Sequence, residues 1–213
     1  MQRWATFDCY GTLIDWDGGI RRVLAEVFGE ERADEHLERY HDVEAELETD
    51  GSRSYRQVMT EAMQQLGAGG ETAGALAASL PSWQPFPEAR EALTEARERG
   101  WRLAILSNSD RDLIDASMRQ IGIPFELAVL ASEIGSYKPG HAHWSRFFDE
   151  TNAPRDYHVH VAQSHFHDIV PASQLGLRTI WINRRGETGD PPATRELRDL
   201  STLGETLDEL VPA

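Results

Sequence analysis

A chain of 213 residues, 40% apolar and 27% charged, is long enough for one substantial core, or for a core with a small inserted domain. A formal net charge of -15 argues against nucleic acid or an anionic membrane surface as partner, and no apolar run approaches the roughly 20 residues of a membrane span. A single cysteine, Cys9, excludes an intramolecular disulfide framework and fits a reducing, cytoplasmic compartment. The first apolar stretch is too short for a signal peptide and ends in Asp8.

In chain order, Arg3–Phe7 reads as a buried strand that ends on a carboxylate, Asp8, followed at once by the tight turn Gly11-Thr12. Residues 17–80 are helical in pattern and rich in Glu, Arg, Ala and Leu, with Ala/Gly-rich turns at 67–70. A simple strand crossover needs far less chain, so this stretch predicts an inserted helical cap. The expected division is a core of residues 1–14 and 85–213 with a cap of 15–84, the Pro-rich stretch 81–87 returning the chain to the core. A helix over 88–99 ends at Gly100, a plausible C-cap. Strands follow at 102–106, 158–162 and 179–182, with helical periodicity at 112–121 and 141–151 between them. Alternating strands and helices predict a doubly wound α/β fold with a parallel sheet. Residues 186–192 read as a flexible loop.

Ligands of open α/β sheets bind beyond the carboxyl ends of the strands, so the residues just past each strand carry the functional reading. These are Asp8 after the first strand, Ser107 and Asn108 after the second, and Gln163, Ser164, His165 and Asp168 after the third. Lys138 lies in the loop Ser136-Tyr137-Lys138-Pro139. Taken singly, Ser107-Asn108 reads as a helix cap, Lys138 as a surface lysine and Asp168 as a cap. Together they place a nucleophile, a hydroxyl, a cation and a second carboxylate at one end of one sheet. Tyr10, two residues beyond Asp8, is a poor acid near neutral pH, since a phenol ordinarily titrates near about 10.

The stretches Asp8-Cys9-Tyr10-Gly11-Thr12-Leu13, Leu106-Ser107-Asn108 and Tyr137-Lys138-Pro139, with Asp168 and the run from Gly176 to Arg184, resemble the haloacid dehalogenase superfamily over nearly the whole chain. The resemblance implies a Rossmann-like core with an α-helical cap inserted after the first strand, and Asp8 as a nucleophile that forms a covalent aspartyl ester. Tyr10 points to the L-2-haloacid dehalogenase branch, because the phosphatases carry Asp there. They also carry a Gly-Asp pair where this chain has Ala162-Gln163, and both changes weaken a magnesium site. Halide leaves without a proton, so the expectation is a hydrolase that needs no metal or other cofactor and acts on a small carboxylate substrate.

On that resemblance Asp8, Lys138, Asp168 and Ser107 are the catalytic candidates, Lys138 holding Asp8 ionised and Asp168 activating water. Thr12, Tyr10, Asn108, Ser164, His165 and Trp144 are the substrate-binding candidates, Trp144 standing where the family has a tyrosine. The family's carboxylate-clamping cap arginine falls here near Glu46 to Glu48; Arg39, Arg53 and Arg56 are the alternatives. A homodimer through the cap is also implied. His158 and His160 share a strand face at a spacing that can ligate zinc, but with no third ligand they read as partly exposed polar positions. His165 is read as a second base. Cys9 reads as a buried structural thiol, and Trp4, Trp101 and Trp181 as core edges.

Overall fold

The computed structural model describes residues 2–49 and 53–213. Its centre is a six-stranded, all-parallel sheet in the order β3-β2-β1-β4-β5-β6. The strands are β1 (Arg3–Phe7), β2 (Trp101–Ser107), β3 (Leu127–Leu130), β4 (His158–Ala162), β5 (Arg178–Ile182) and β6 (Arg195–Leu197). Helices α1 (Trp16–Phe28), α2 (Ala33–Leu47), α3 (Tyr55–Gln65) and α4 (Ala75–Ser79) lie between β1 and β2. The others are α5 (Ala89–Glu98), α6 (Arg111–Ile121), α7 (Ala131–Ile134), α8 (Ala142–Thr151), α9 (Val170–Gln174) and α10 (Leu203–Leu210). This is the Rossmann-like α/β fold expected from the sequence, and none of these helices is long and apolar enough to cross a membrane. The two strands that periodicity did not reveal are β3, four residues running straight into α7, and the polar edge strand β6.

Strand alternation sorts the sheet into two faces. Ala5, Phe7, Leu103, Ile105, Val159 and Val161 face one side and join the large core that includes α5, α6 and α10. Trp4, Ala104 and Leu106 face the other, with Trp144 and Phe147 of α8. The large core runs without a break into the inserted helices, through Leu13, Ile14, Ile20, Leu24, Tyr40, Met59 and Trp83. The insert therefore shares one hydrophobic interior with the sheet.

Local sequence explains how the insert is held. Asp15 caps α1 by accepting from the Gly18 amide at 3.1 Å. Gly19 lets α1 lie against Trp83, since a Cβ there would come within 2.3 Å of the indole. Ser54 and Gln57 form a capping box at the start of α3. The same helix start also meets the core. The amides of Tyr55 and Arg56 donate to the two carboxylate oxygens of Asp110, at 3.1 and 3.0 Å. The two connections between insert and core run side by side, joined by Asp15 N–H to Gln84 O and Phe86 N–H to Leu13 O. Arg184 closes over this junction, pairing with Glu88 at 2.8 Å, covering the Phe86 ring and donating to the Thr12 carbonyl.

Candidate active site

In this strand order the chain reverses its winding between β1 and β4, which is where an open α/β sheet opens a crevice. Asp8 stands at the end of β1 and the segment 163–168 at the end of β4. Lys138 Nζ lies between them, donating to Asp8 Oδ1 at 2.9 Å, to Asp168 Oδ1 at 2.7 Å and to the Leu106 carbonyl at 2.9 Å. All three ammonium hydrogens are thus engaged. Burial alone would lower the Lys138 pKa, but Asp168 and Asp8 lift it above the ordinary lysine value. Burial would raise Asp168, yet Lys138 and His160 hold it at about 2. Burial pushes Asp8 up, Lys138 draws it back, and the net direction is upward. One ammonium shared by two carboxylates leaves Asp8 the more basic of the two, which suits a nucleophile.

Thr12 does not line the cavity. Its hydroxyl donates to Asp8 Oδ2 at 3.1 Å and accepts from the Gln163 amide at 2.9 Å, so it orients the carboxylate. Asn108 is likewise engaged. Its Oδ1 accepts from the Lys138 amide at 2.6 Å, and its Nδ2 donates to the Lys138 carbonyl at 3.0 Å and to Glu48 Oε2 at 3.1 Å. It fixes the lysine loop rather than presenting a free amide. Gly11, at φ +81°, is required by the same crowding, because a Cβ there would meet Gln163 Oε1 at 3.0 Å.

These groups open onto a cavity of about 220 Å³ between sheet and insert. Asp8, Tyr10, Ser107, Asn108, Lys138, Gln163, Ser164, His167 and Asp168 line it from the core; Trp16, His41, Glu44, Ala45, Glu48 and Tyr55 line it from the insert. Tyr10 turns its hydroxyl away from Asp8 to Ser117 Oγ at 3.1 Å, and its ring stacks on Tyr55. Burial lifts its pKa well above the ordinary phenol value, so it is no acid for a leaving group. Sequence reading named Glu48 only as part of the run where the family's cap arginine falls, and did not pick out Glu44, Trp16, Tyr55, His41 or His167. The available signal was the i, i+4 spacing of Tyr40, Glu44 and Glu48, which puts one tyrosine and two carboxyls on one face of α2.

Several expectations are corrected. Trp144 is fully buried in the second core, edge-on to His160, and does not reach the cavity. His165 turns away as well, with its ring against Trp181 and its Nε2 donating to the Pro191 carbonyl at 3.0 Å. His167, two residues on around a π turn, faces the cavity instead. Burial depresses its pKa. The Ser164 hydroxyl lies at the cavity but caps this turn, accepting from the His167 amide at 3.1 Å. Arg39, Arg53 and Arg56 do not line the cavity. Arg39 donates to the Gln65 carbonyl, Arg53 pairs with Glu61, and Arg56 pairs with Asp112.

His158 and His160 are not exposed polar positions; both are fully buried. The β1–β4 register sets Thr6 opposite His160, and the Thr6 hydroxyl meets His158 Nε2 at 2.9 Å and His160 Nδ1 at 2.8 Å. His160 Nε2 meets Asp168 Oδ1 at 3.0 Å. A carboxylate only accepts, so His160 Nε2 carries a hydrogen. With both rings neutral, Thr6 donates to His160 Nδ1 and accepts from His158 Nε2–H. Burial pushes His158 well below its ordinary pKa, in keeping with a neutral ring. The result is an ordered chain of donors from His158 to Asp168. It ends on a carboxylate whose other oxygen, Oδ2, is buried without a hydrogen-bond partner among the described residues.

The site does not fit a magnesium ion, which needs about six oxygen ligands in near-octahedral array. Tyr10 and Gln163 stand in place of carboxylates, and the Oδ1 atoms of Asp8 and Asp168 both face the Lys138 ammonium. Among the described residues no three His, Cys, Asp or Glu side chains are grouped to hold a metal.

A family model described as haloacid dehalogenase-like hydrolase matches residues 3–161. Haloacetate dehalogenase H-2 of Moraxella sp. (strain B) is 31% identical over 131 residues, covering 61% of this chain and 53% of its own length. Phosphoserine phosphatase of Thermus thermophilus is 29% identical over 147 residues, covering 66% of this chain and 59% of its own. The chain thus matches a little over half the length of these relatives. The solved structure of L-2-haloacid dehalogenase from Xanthobacter autotrophicus with chloropropionic acid covalently bound has a TM-score of 0.84 at 17% identity, with 100% of both chains covered. That last likeness is one of fold.

Proposed function

The chain belongs to the haloacid dehalogenase-like hydrolase family, and from that premise we propose that it is a metal-independent hydrolase of carbon–halogen bonds. Asp8 displaces halide from a small 2-haloalkanoic acid, or from a derivative that keeps the α-halo carbonyl, and forms an aspartyl ester that water then cleaves. The surroundings of Asp8 carry this reading. Its carboxylate is paired with Lys138 and Thr12, while the Tyr10 hydroxyl that replaces an acid is turned onto Ser117. General acid catalysis is worth roughly 10²–10⁴-fold where a leaving group needs a proton, and halide needs none. The dehalogenases among the relatives support the same chemistry.

Oδ2, which accepts from the neutral Thr12 hydroxyl while Lys138 donates to Oδ1, is the attacking oxygen. The carbon–halogen bond breaks and its electron pair leaves with the halide. Oδ1 becomes the ester carbonyl oxygen, with Lys138 Nζ at 2.9 Å to take the charge when water adds. The unpartnered Asp168 Oδ2 accepts from that water and orients it. The ester C–O bond to Asp8 then breaks. One hydrogen of the water ends on the product hydroxyl and the other leaves as a proton, so the sum is organohalide plus water giving alcohol, halide and a proton. Ser107 lines the cavity beside the reacting atoms.

The test is halide release from a panel of L-2-haloacids and their amides in the presence of EDTA. Release that is indifferent to the chelator and absent in Asp8→Asn is expected. Magnesium-dependent hydrolysis of an aryl phosphate without halide release contradicts the reading and turns it toward the phosphatase relatives.

A further inference from the structure

The end of the cavity furnished by the insert carries an unusual balance of hydrogen-bonding groups. Its indole and phenol donors are already engaged, and His41 Nε2 lies 3.2 Å from Asp17 Oδ1. The Trp16 indole N–H donates to the Tyr55 hydroxyl at 3.0 Å, and Tyr55 in turn donates to Glu44 Oε1 at 2.8 Å. Tyr40 donates to the same oxygen at 3.2 Å, which leaves the lone pairs of Glu44 Oε2 untouched by either phenol. Across the cavity, Asn108 uses both amide hydrogens and Lys138 all three of its own, and the other donors there, the Gln163 amide and the Ser107 hydroxyl, carry no charge to offset a carboxylate. No arginine is among the described residues that line it. The acceptors are in excess: the carboxyls of Glu44 and Glu48 join those of Asp8 and Asp168 around one ammonium. With Glu44 and Glu48 ionised, a carboxylate placed here would set oxygen against oxygen and charge against like charge, which is costly on both counts.

We propose that the substrate is an α-halo carboxamide, whose carbonyl keeps the carbon open to attack by Asp8 and whose NH₂ donates to Glu44 and Glu48. This rests on the dehalogenation reading above and names its substrate class. A carboxamide has the shape of a carboxylate with one oxygen replaced by a donor, so it suits a cavity that supplies acceptors. Burial lifts Glu44 to about 7, and burial together with Glu44 lifts Glu48 well above the ordinary carboxyl value. Burial is the largest cause of both shifts and penalises the ionised carboxyl, which an N–H donor from the ligand would favour. His41, Asp17, Tyr40 and Tyr55 are the other groups that act on Glu44; Asn108, Lys138 and Asp8 act on Glu48.

The experiment pairs binding with turnover on the whole protein. Calorimetry at pH 8 compares lactamide with lactate, neither of which has a halogen to lose. Lactamide binding at least about tenfold more tightly is expected, since a site built to accept from N–H groups rejects a partner that lacks them. Glu44→Gln and Glu48→Gln, isosteric changes checked for cooperative melting, should each move the preference toward lactate. Lactate binding as tightly as lactamide to the unmodified protein overturns the proposal. Halide release from 2-chloropropionamide and 2-chloropropionate separates it from the reading beneath it. Faster release from the amide supports both. Faster release from the acid overturns the substrate class and keeps dehalogenation. Preferential lactamide binding with no release from either compound keeps the amide specificity and removes the dehalogenase.

Discussion

At the scale of single residues, the site is a problem in sharing. One ammonium serves two carboxylates, and what separates their behaviour is the second partner each one has: a hydroxyl on Asp8, a histidine on Asp168. The buried chain from His158 through Thr6 and His160 keeps that histidine pointed at Asp168. Asp168 titrates below an unperturbed carboxyl, so its stabilising contribution is complete above the ordinary carboxyl range and is lost as pH falls toward about 2. Thr6→Val leaves two buried ring nitrogens without a partner. It should cost about 1–3 kcal/mol in denaturant unfolding. Acid unfolding should also begin at a higher pH than in the unmodified protein, because His160 no longer holds Asp168 as firmly. An unchanged acid midpoint would show that the chain does not act on Asp168. Strand-end logic picked out Asp8, Ser107, Asn108 and Asp168 from the sequence, because the position after a parallel strand is fixed by topology, and the loop Tyr137-Lys138-Pro139 added Lys138 by resemblance. It could not tell which of neighbouring residues turn inward. His165 and His167 differ only in their place on a π turn, and Trp144 lies on the helix face that packs on the sheet.

At the scale of elements, the insert is aimed at the site by a contact that no local pattern announces. Asp110, just after β2, receives the first two amides of α3, so a core loop caps an insert helix across 55 residues of chain. Helix N-termini favour a carboxylate there through both hydrogen bonds and the helix dipole. Asp110→Ala should therefore cost about 0.5–2 kcal/mol of stability. It should also raise KM more than it lowers kcat, since Tyr55 at that helix start carries the Glu44 end of the cavity while Asp8 and Lys138 stay in place. Loss of kcat alone, with KM unchanged, would count against this positioning role. The strands that end just before Asp8 and Gln163 were legible because they are short runs rich in apolar residues. β3 and β6 were not, being one too short and the other a polar edge. Part of the acidic face of α2 is turned into the cavity, which helical periodicity alone does not show.

At the scale of the whole molecule, sheet and insert share a single hydrophobic interior, joined by the side-by-side connections at Leu13–Asp15 and Gln84–Phe86. A continuous core predicts one cooperative unfolding transition, with far-ultraviolet ellipticity and tryptophan fluorescence changing together. Separate transitions would mean that the insert melts by itself. The same architecture closes Asp8, paired with Lys138, between sheet and insert, largely buried. The covalent role of Asp8 is the central claim, and turnover in heavy-oxygen water followed by mass spectrometry of the peptide containing Asp8 tests it most directly. If water attacks the aspartyl ester, heavy oxygen accumulates in the Asp8 carboxylate over repeated turnovers. Labelled alcohol from the first turnover, with Asp8 never labelled, would mean that water attacks the substrate itself and would contradict the account.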